Sequence, residues 1–190
     1  MAVLINASTS AGLQITSDTS GLISFQTNGT QFNPLLTAGT SQASTSGTSI
    51  DFTSIPSWVK RITVMFAGVS TSGTSDMIVQ LGTGATPTYT TSGYNGRVAT
   101  QTGGTVSSFT SGFMYSMTPG ATDTISGQMI ISNLTGNTWV ESSTMAIYSV
   151  SALRYGAGHI ALAATLTAVR ITMANGTDTF DAGSINILYE

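Results

Sequence analysis

The chain has 190 residues, 41% hydrophobic and 7% charged, with no cysteine and a net charge of −3. That length suffices for one domain with its own core, with or without a short appendage, and the absent cysteines exclude disulfides and thiolate chemistry. Five scattered basic residues give no footprint for phosphate backbones or anionic lipid, so neither nucleic acid nor a membrane is expected as partner. Ser and Thr dominate the polar residues, and Thr, Val, Ile and Tyr favour half-buried pleated surfaces. A folded all-β protein is the expectation, and no apolar run reaches the length of a membrane span.

Residues 1–37 read as a first unit. Leu13 and Ile15 alternate, a Ser/Asp/Thr/Gly turn follows, then comes the short strand candidate Leu22 to Gln26, and Asn28-Gly29 marks a second turn. Such a short β-hairpin or arm is marginal in water and needs something to pack on. Residues 38–49 (AGTSQASTSGTS) hold no large apolar side chain and read as a flexible linker. The domain boundary is placed there, with a head over 50–190.

Within the head, Ile50 to Phe52 reads as a short strand ended by Pro56, which cannot donate to a ladder. Val59 to Phe66 is the longest strand pattern, with Ile62, Val64 and Phe66 on one face. After a loop of small residues, Met77, Val79 and Leu81 alternate. The stretch from Thr83 to Thr105 is too polar for core and reads as a long loop. Tyr89, Tyr94 and Arg97 are its candidate interaction residues, because rings with one wet end and the planar guanidinium suit interfaces.

Further strands are expected at Phe109–Met117, Ile125–Leu134, Thr138–Glu141, Thr144–Val150, Leu153–Tyr155, Ile160–Leu166, Val169–Met173 and Ile185–Tyr189. Asn175-Gly176 predicts a type I′ hairpin closing Val169–Met173 onto Thr177–Phe180. Gly183 predicts a bulge or bend ahead of the last strand. About eight antiparallel strands over 140 residues match a β-sandwich of jelly-roll size.

Candidate chemistry is sparse. His159 is the one imidazole, and it reads as structural or exposed rather than as part of a Ser-His-Asp relay. Asp178 and Asp181 flank Phe180 in a turn, where aspartate caps its own backbone. No cysteine, one histidine and no EF-hand pattern point to no metal or other cofactor. Four Asn-x-Ser/Thr matches (Asn6, Asn28, Asn133, Asn175) are expected by chance in so hydroxyl-rich a chain. Trp58 and Trp139 read as packing anchors or as sugar-stacking platforms, with packing favoured for Trp58 beside its strand. Lys60-Arg61 reads as a solvated doublet.

The run Ile50 to Gly84 (IDFTSIPSWVKRITVMFAGVSTSGTSDMIVQLGTG), with the ending Arg170 to Glu190, resembles a module of tailed-bacteriophage virion proteins. It is similar to the C-terminal head of fibre tips and capsid decoration (cement) proteins, and Gly12 to Gly29 is similar to the attachment segments preceding such heads. The resemblance implies a non-enzymatic β-sandwich head, commonly trimeric, on the surface of a virion. Its partners would be copies of itself, and either the major capsid protein or tail and fibre proteins. The resemblance carries over no individual residue; read from the sequence itself, attachment would run through the first unit, with Leu13, Ile15, Leu22 and Phe25 as its candidate apolar contacts. The alternative is a tail-fibre or spike tip that binds a host glycan.

Overall fold

A computed structural model describes residues 36–101, 104–117 and 119–190, and the backbone of Phe25–Thr27 and Thr30–Phe32. The chain divides into two compact units, Met1–Leu35 and Leu36–Glu190. In the first, β1 (Phe25–Thr27) pairs antiparallel with β2 (Thr30–Phe32), Phe25 opposite Phe32. Leu13, Ile15, Leu22 and the turn residues Asn28 and Gly29 lie outside the described residues, and for Phe25 the backbone alone is described.

Every described element of the second unit is a strand, as its β-branched and aromatic content dictates. In chain order they are β3 (Thr37–Ala38), β4 (Gln42–Ala43), β5 (Ser49–Phe52), β6 (Arg61–Thr71) and β7 (Met77–Thr83). Next come β8 (Thr88–Tyr89), β9 (Asn95–Thr100), β10 (Val106–Phe109), β11 (Phe113–Ser116) and β12 (Ile125–Thr135). The last are β13 (Thr138–Ile147), β14 (Ala152–Ala161), β15 (Leu166–Met173) and β16 (Phe180–Tyr189). A nine-stranded sheet has the order β10-β9-β14-β13-β12-β6-β16, with β3 and β4 both on the far side of β16. A five-stranded sheet has the order β11-β7-β15-β5, with β8 beside β7. All pairings are antiparallel.

The two sheets pack face to face as a β-sandwich around one apolar core. Ile62, Val64 and Phe66 of β6 point inward as their alternation predicts, and Phe66 stacks on Tyr115 of the opposite sheet at 4.4 Å. Edge-on contacts of Phe113 with Tyr94 and Phe109 close one end of the core. Each such side chain fully removed from water contributes about 1.5–3 kcal/mol. Strand β7 is buried on both faces, so its expected alternation is absent. Its outward residues are covered: Ile78 lies under Gly112, Gln80 donates to the Ser111 carbonyl, and Gly82 lies under Tyr89.

Several expectations are corrected. Residues 38–49 are not a loose linker in this structure: β3 and β4 pair with β16, Gly39 N donates to Ile187 O, and Ser44 is fully buried. Main-chain hydrogen bonds hold this tract and need no large side chain, and the division between units falls at 35/36 instead. The polar stretch 83–105 contains β8 and β9 rather than one loop. The strands expected at Thr138–Glu141 and Thr144–Val150 are continuous in β13, whose small hydroxyls alternate out and in.

Asn175-Gly176 does not close a hairpin, because β15 and β16 lie in different sheets. The Gly176 N–H bonds Met173 O, so Ala174 and Asn175 are the central turn residues, and neither has the positive φ a type I′ turn requires. Instead Asn175 Oδ1 accepts from the Thr177 and Asp178 amides and turns the chain from one sheet to the other. The bulge expected at Gly183 is present. Its φ is +93°, the β16–β6 register shifts there, and an added Cβ would lie 2.4 Å from Gly68 O.

Candidate functional site

The three residues assigned to an interaction loop are separated by the fold. Tyr94 is 2% exposed, and its hydroxyl accepts from the Leu81 amide at 2.7 Å inside the core. Burial raises its phenol far above the usual range, and the Leu81 amide offsets this in part. It presents no wet end to a partner, which corrects its assignment. Tyr89 lies on the outer face of the five-stranded sheet. Arg97 lies exposed on the outer face of the other sheet, donating to the Gly96 carbonyl beside it.

Around Tyr89 the registers of β5, β15 and β7 bring Asp51, Arg170 and Gln80 into one row. Arg170 Nε and Nη2 donate to the two Asp51 oxygens, each at 2.7 Å, and the guanidinium lies 3.9 Å from the Tyr89 ring centroid. Burial pushes the Tyr89 phenol up to about 12, with Asp51 adding to the shift and Arg170 opposing it. The hydrogen bond to Asp51 holds the Arg170 guanidinium above its ordinary value. The carboxylate takes the in-plane edge of the cation and the ring covers one of its faces, so the row works as a cross-strand clamp. With about a third of each charged side chain exposed, the ion pair contributes no more than about 1 kcal/mol. Beside it a groove of about 510 Å³ runs between β5 and the β3–β16 edge, floored by Phe52, Ile187 and Tyr189.

A second polar group lies between the sheets, on the inward faces of β13 and β14. Glu141 is 5% exposed and Ser143 6% exposed. Neither Glu141 oxygen nor Ser143 Oγ has a hydrogen-bond partner among the described residues. They sit over Gly156: a Cβ there would lie 2.7 Å from Ser143 Oγ, 3.1 Å from Glu141 Oε1 and 3.2 Å from Met114 O. Burial pushes the Glu141 carboxyl up to about 8, and the neighbouring Ser143 hydroxyl acts the other way. Further along β14, Arg154 donates from Nη1 to Ser116 Oγ at 2.9 Å and to the Met117 carbonyl. Burial lowers its guanidinium, while the Asp123 and Asp76 carboxylates act the other way. Asp123 in turn accepts from the Gly120 amide at 2.8 Å and from Ser149 Oγ.

The remaining candidates fall apart as well. His159 is exposed on the outer face of β14, paired in register with Val140 and Asn95. Trp139 is buried, 4% exposed, while Trp58 is half-buried against Tyr189 at 6.0 Å. Asp178 accepts from Asn175 Nδ2 and the Ser75 amide, which hold its carboxyl below the usual range, and so stabilises its loop as a capping residue. The Lys60-Arg61 doublet is engaged rather than simply solvated: Lys60 donates to Asn133 Oδ1, and Arg61 pairs with Glu190. Among the described residues no cluster of three or more His, Asp or Glu side chains forms.

In the second unit taken by itself, the outer face of the nine-stranded sheet carries exposed side chains. Along its centre run Tyr155 and Ala157 of β14, Ser142 and Thr144 of β13, and Gln128 and Ile130 of β12, joined by register. Tyr155 is 41% exposed, and Val106 at the β10 edge is 59% exposed. Sequence alternation could have marked this face, but hydroxyls and alanines carry too little contrast to say which side is wet. Comparison with known proteins adds no relative: no protein-family model, no curated protein and no solved structure matches the chain.

Proposed function

We propose that the chain is a non-enzymatic structural protein of a tailed-bacteriophage particle, a capsid decoration protein that assembles as a trimer on the particle surface. The observation that carries this reading is the division of the chain into a small N-terminal unit, residues 1–35, and a sparsely charged β-sandwich with its own core. The small unit is the anchor, docking on the capsid protein or on a tail or fibre protein. The sandwich is the exposed body. Contacts that exist only in the assembled shell stabilise that shell by mass action. Association of the heads raises the effective concentration of three weak anchors and holds them down together.

The test is a chain lacking residues 1–35, which keeps β3, mixed with undecorated capsids. The sandwich should keep its circular dichroism and lose capsid binding. Undiminished binding would remove the anchor from the reading. A second reading, a fibre or spike tip that binds a host glycan, draws on the exposed Tyr148 and Tyr155 rings. It predicts binding on a glycan array and competition with phage adsorption, neither of which a cement protein shows.

A further inference from the structure

We propose that β11 is a proton-gated plug in the side of the sandwich. While Glu141 holds its proton, β11 lies sealed over it. Loss of that proton favours an opened form in which β11 bows outward and water reaches the carboxylate. The proposal concerns the interior of the second unit alone and does not depend on the particle reading above.

The first argument is the cage. Less than 1 Å² of either Glu141 oxygen is open to water, and neither has a hydrogen-bond partner among the described residues. The carboxyl is therefore packed dry, with no room beside it for a bridging water or a counter-ion. A charge in such a place costs far more than the neutral acid does. Gly156 is what lets the acid lie there, since a Cβ in its place would come within 3.1 Å of Oε1 and 2.7 Å of Ser143 Oγ.

The second argument is which wall can give way. On one side of Glu141 is its own strand, β13, paired along its whole length with β12 and with β14. On the other is β11, which packs against β13, β14 and β9 and brings the Met114 carbonyl to 3.2 Å from where a Gly156 Cβ would be. Strand β11 has 4 residues, lies at the edge of its sheet and pairs with β7. Its register breaks between Met114 and Ser116, so Tyr115 is unpaired in the ladder. A short edge strand with a broken ladder opens at lower cost than a long strand paired on both sides. Gln80 ties one end at the Ser111 carbonyl and Arg154 ties the other at Ser116 Oγ, so the strand bows between them. Phe113 and Tyr115 are fully buried, and the cost of exposing them keeps the plug shut while the acid is neutral.

The third argument is that no other charge answers Glu141. On β11 the titratable group is Tyr115, whose phenol burial holds far above its usual range, so it stays neutral. On β14 it is Arg154, which donates to Ser116 Oγ and the Met117 carbonyl and is faced by the Asp123 and Asp76 carboxylates. His159 is on the outer face of β14. The inward residues of β9 and β12, Gly96, Val98, Met129 and Ile131, carry no charge. In the opened form Glu141 titrates near its ordinary 4.5, and in the sealed form burial moves it to about 8. Between those values the opened form holds fewer protons, so its share rises about tenfold per pH unit.

The test is amide hydrogen exchange of the full chain at pH 5, 6, 7 and 8, each rate divided by that of the free peptide at the same pH. Opening at the β11 amides should rise about tenfold per unit and level off past about pH 8. It should also exceed opening at the amides of β6, in the middle of its sheet, at every pH. In Glu141→Gln the β11 opening should be the same at all four pH values. Wild-type β11 opening that is flat with pH overturns the proposal. So does a rise of equal size in the Gln variant, since another group would then be titrating. If β11 and β6 amides share one opening rate, water reaches the carboxyl only by unfolding of the whole sandwich, and there is no plug. The first and last of these outcomes are read on the wild type and need no variant to fold.

Discussion

Replacing Glu141 with Gln tests whether the interior holds an uncharged acid. The carboxyl is 5% exposed and burial moves it from 4.5 to about 8. Its folded value is raised, and for an acid this means that folding binds a proton. Below about pH 4.5 the group is protonated in both states and has no effect. From there to about pH 8 the unfolded chain ionises first, and stability falls by about 1.4 kcal/mol per pH unit. Above about pH 8 both states are ionised and the loss levels off at about 5 kcal/mol.

At pH 7 the loss amounts to about 3 kcal/mol, a large part of the stability of an ordinary domain. Glutamine has nearly the same shape and no proton to lose, so it removes the slope, although its buried amide keeps a desolvation cost of its own. The measurement is urea unfolding of both proteins at pH 5, 6, 7 and 8, at one protomer concentration. The difference between them should grow in favour of the Gln variant by about 1.4 kcal/mol per unit. A difference that stays constant from pH 5 to pH 8 would show that Glu141 is ionised and satisfied in the fold, and the account of this cluster would be wrong.

Two further substitutions probe the backbone and the core. Gly183→Ala forces an L side chain to φ +93° and drives its Cβ against the Gly68 carbonyl. Main chain cannot swing aside as a side chain can, so the variant should lose at least about 2 kcal/mol, read as a lowered melting temperature. Tyr94→Phe keeps the ring stacked edge-on to Phe113 but takes the acceptor from the buried Leu81 amide. It should cost about 1–3 kcal/mol in chemical denaturation, and an unchanged midpoint would place another acceptor at that amide.

The sequence announced strands where one face is apolar and the other polar. Strand β6 is the clear case, because Ile62, Val64 and Phe66 differ sharply from Arg61 and Thr63. Strand β9 was hidden because its inward positions are Gly96 and Val98, and a glycine gives no sign of burial. Gly96 is buried because the Phe109 ring lies where its Cβ would be. The tract 38–49 was hidden for another reason: it is held by main-chain bonds to β16, which composition does not encode.

Asn175-Gly176 signalled a turn correctly, but local chemistry does not say which sheet the chain enters next. The site residues fared by burial. Tyr94 and Tyr89 have equal claims as tyrosines of a polar stretch, and tertiary packing alone sends one inward and leaves the other beside Arg170. Nothing in the spacing of Glu141, Ser143 and Gly156 marks them as neighbours, since they meet across paired strands.

The clipping of residues 37–44 to β16 has a mechanical consequence. A pull entering at residue 36 reaches the sandwich through the rungs at Gly39 and Ser44, which join the strand carrying Ile187 and Gly183. Force along the strands stretches these rungs together, as in a lap joint, whereas force across them opens one rung at a time, as in peeling tape. The load that the joint between residue 36 and the sandwich can bear is therefore decided by the direction of the pull as much as by the number of its rungs.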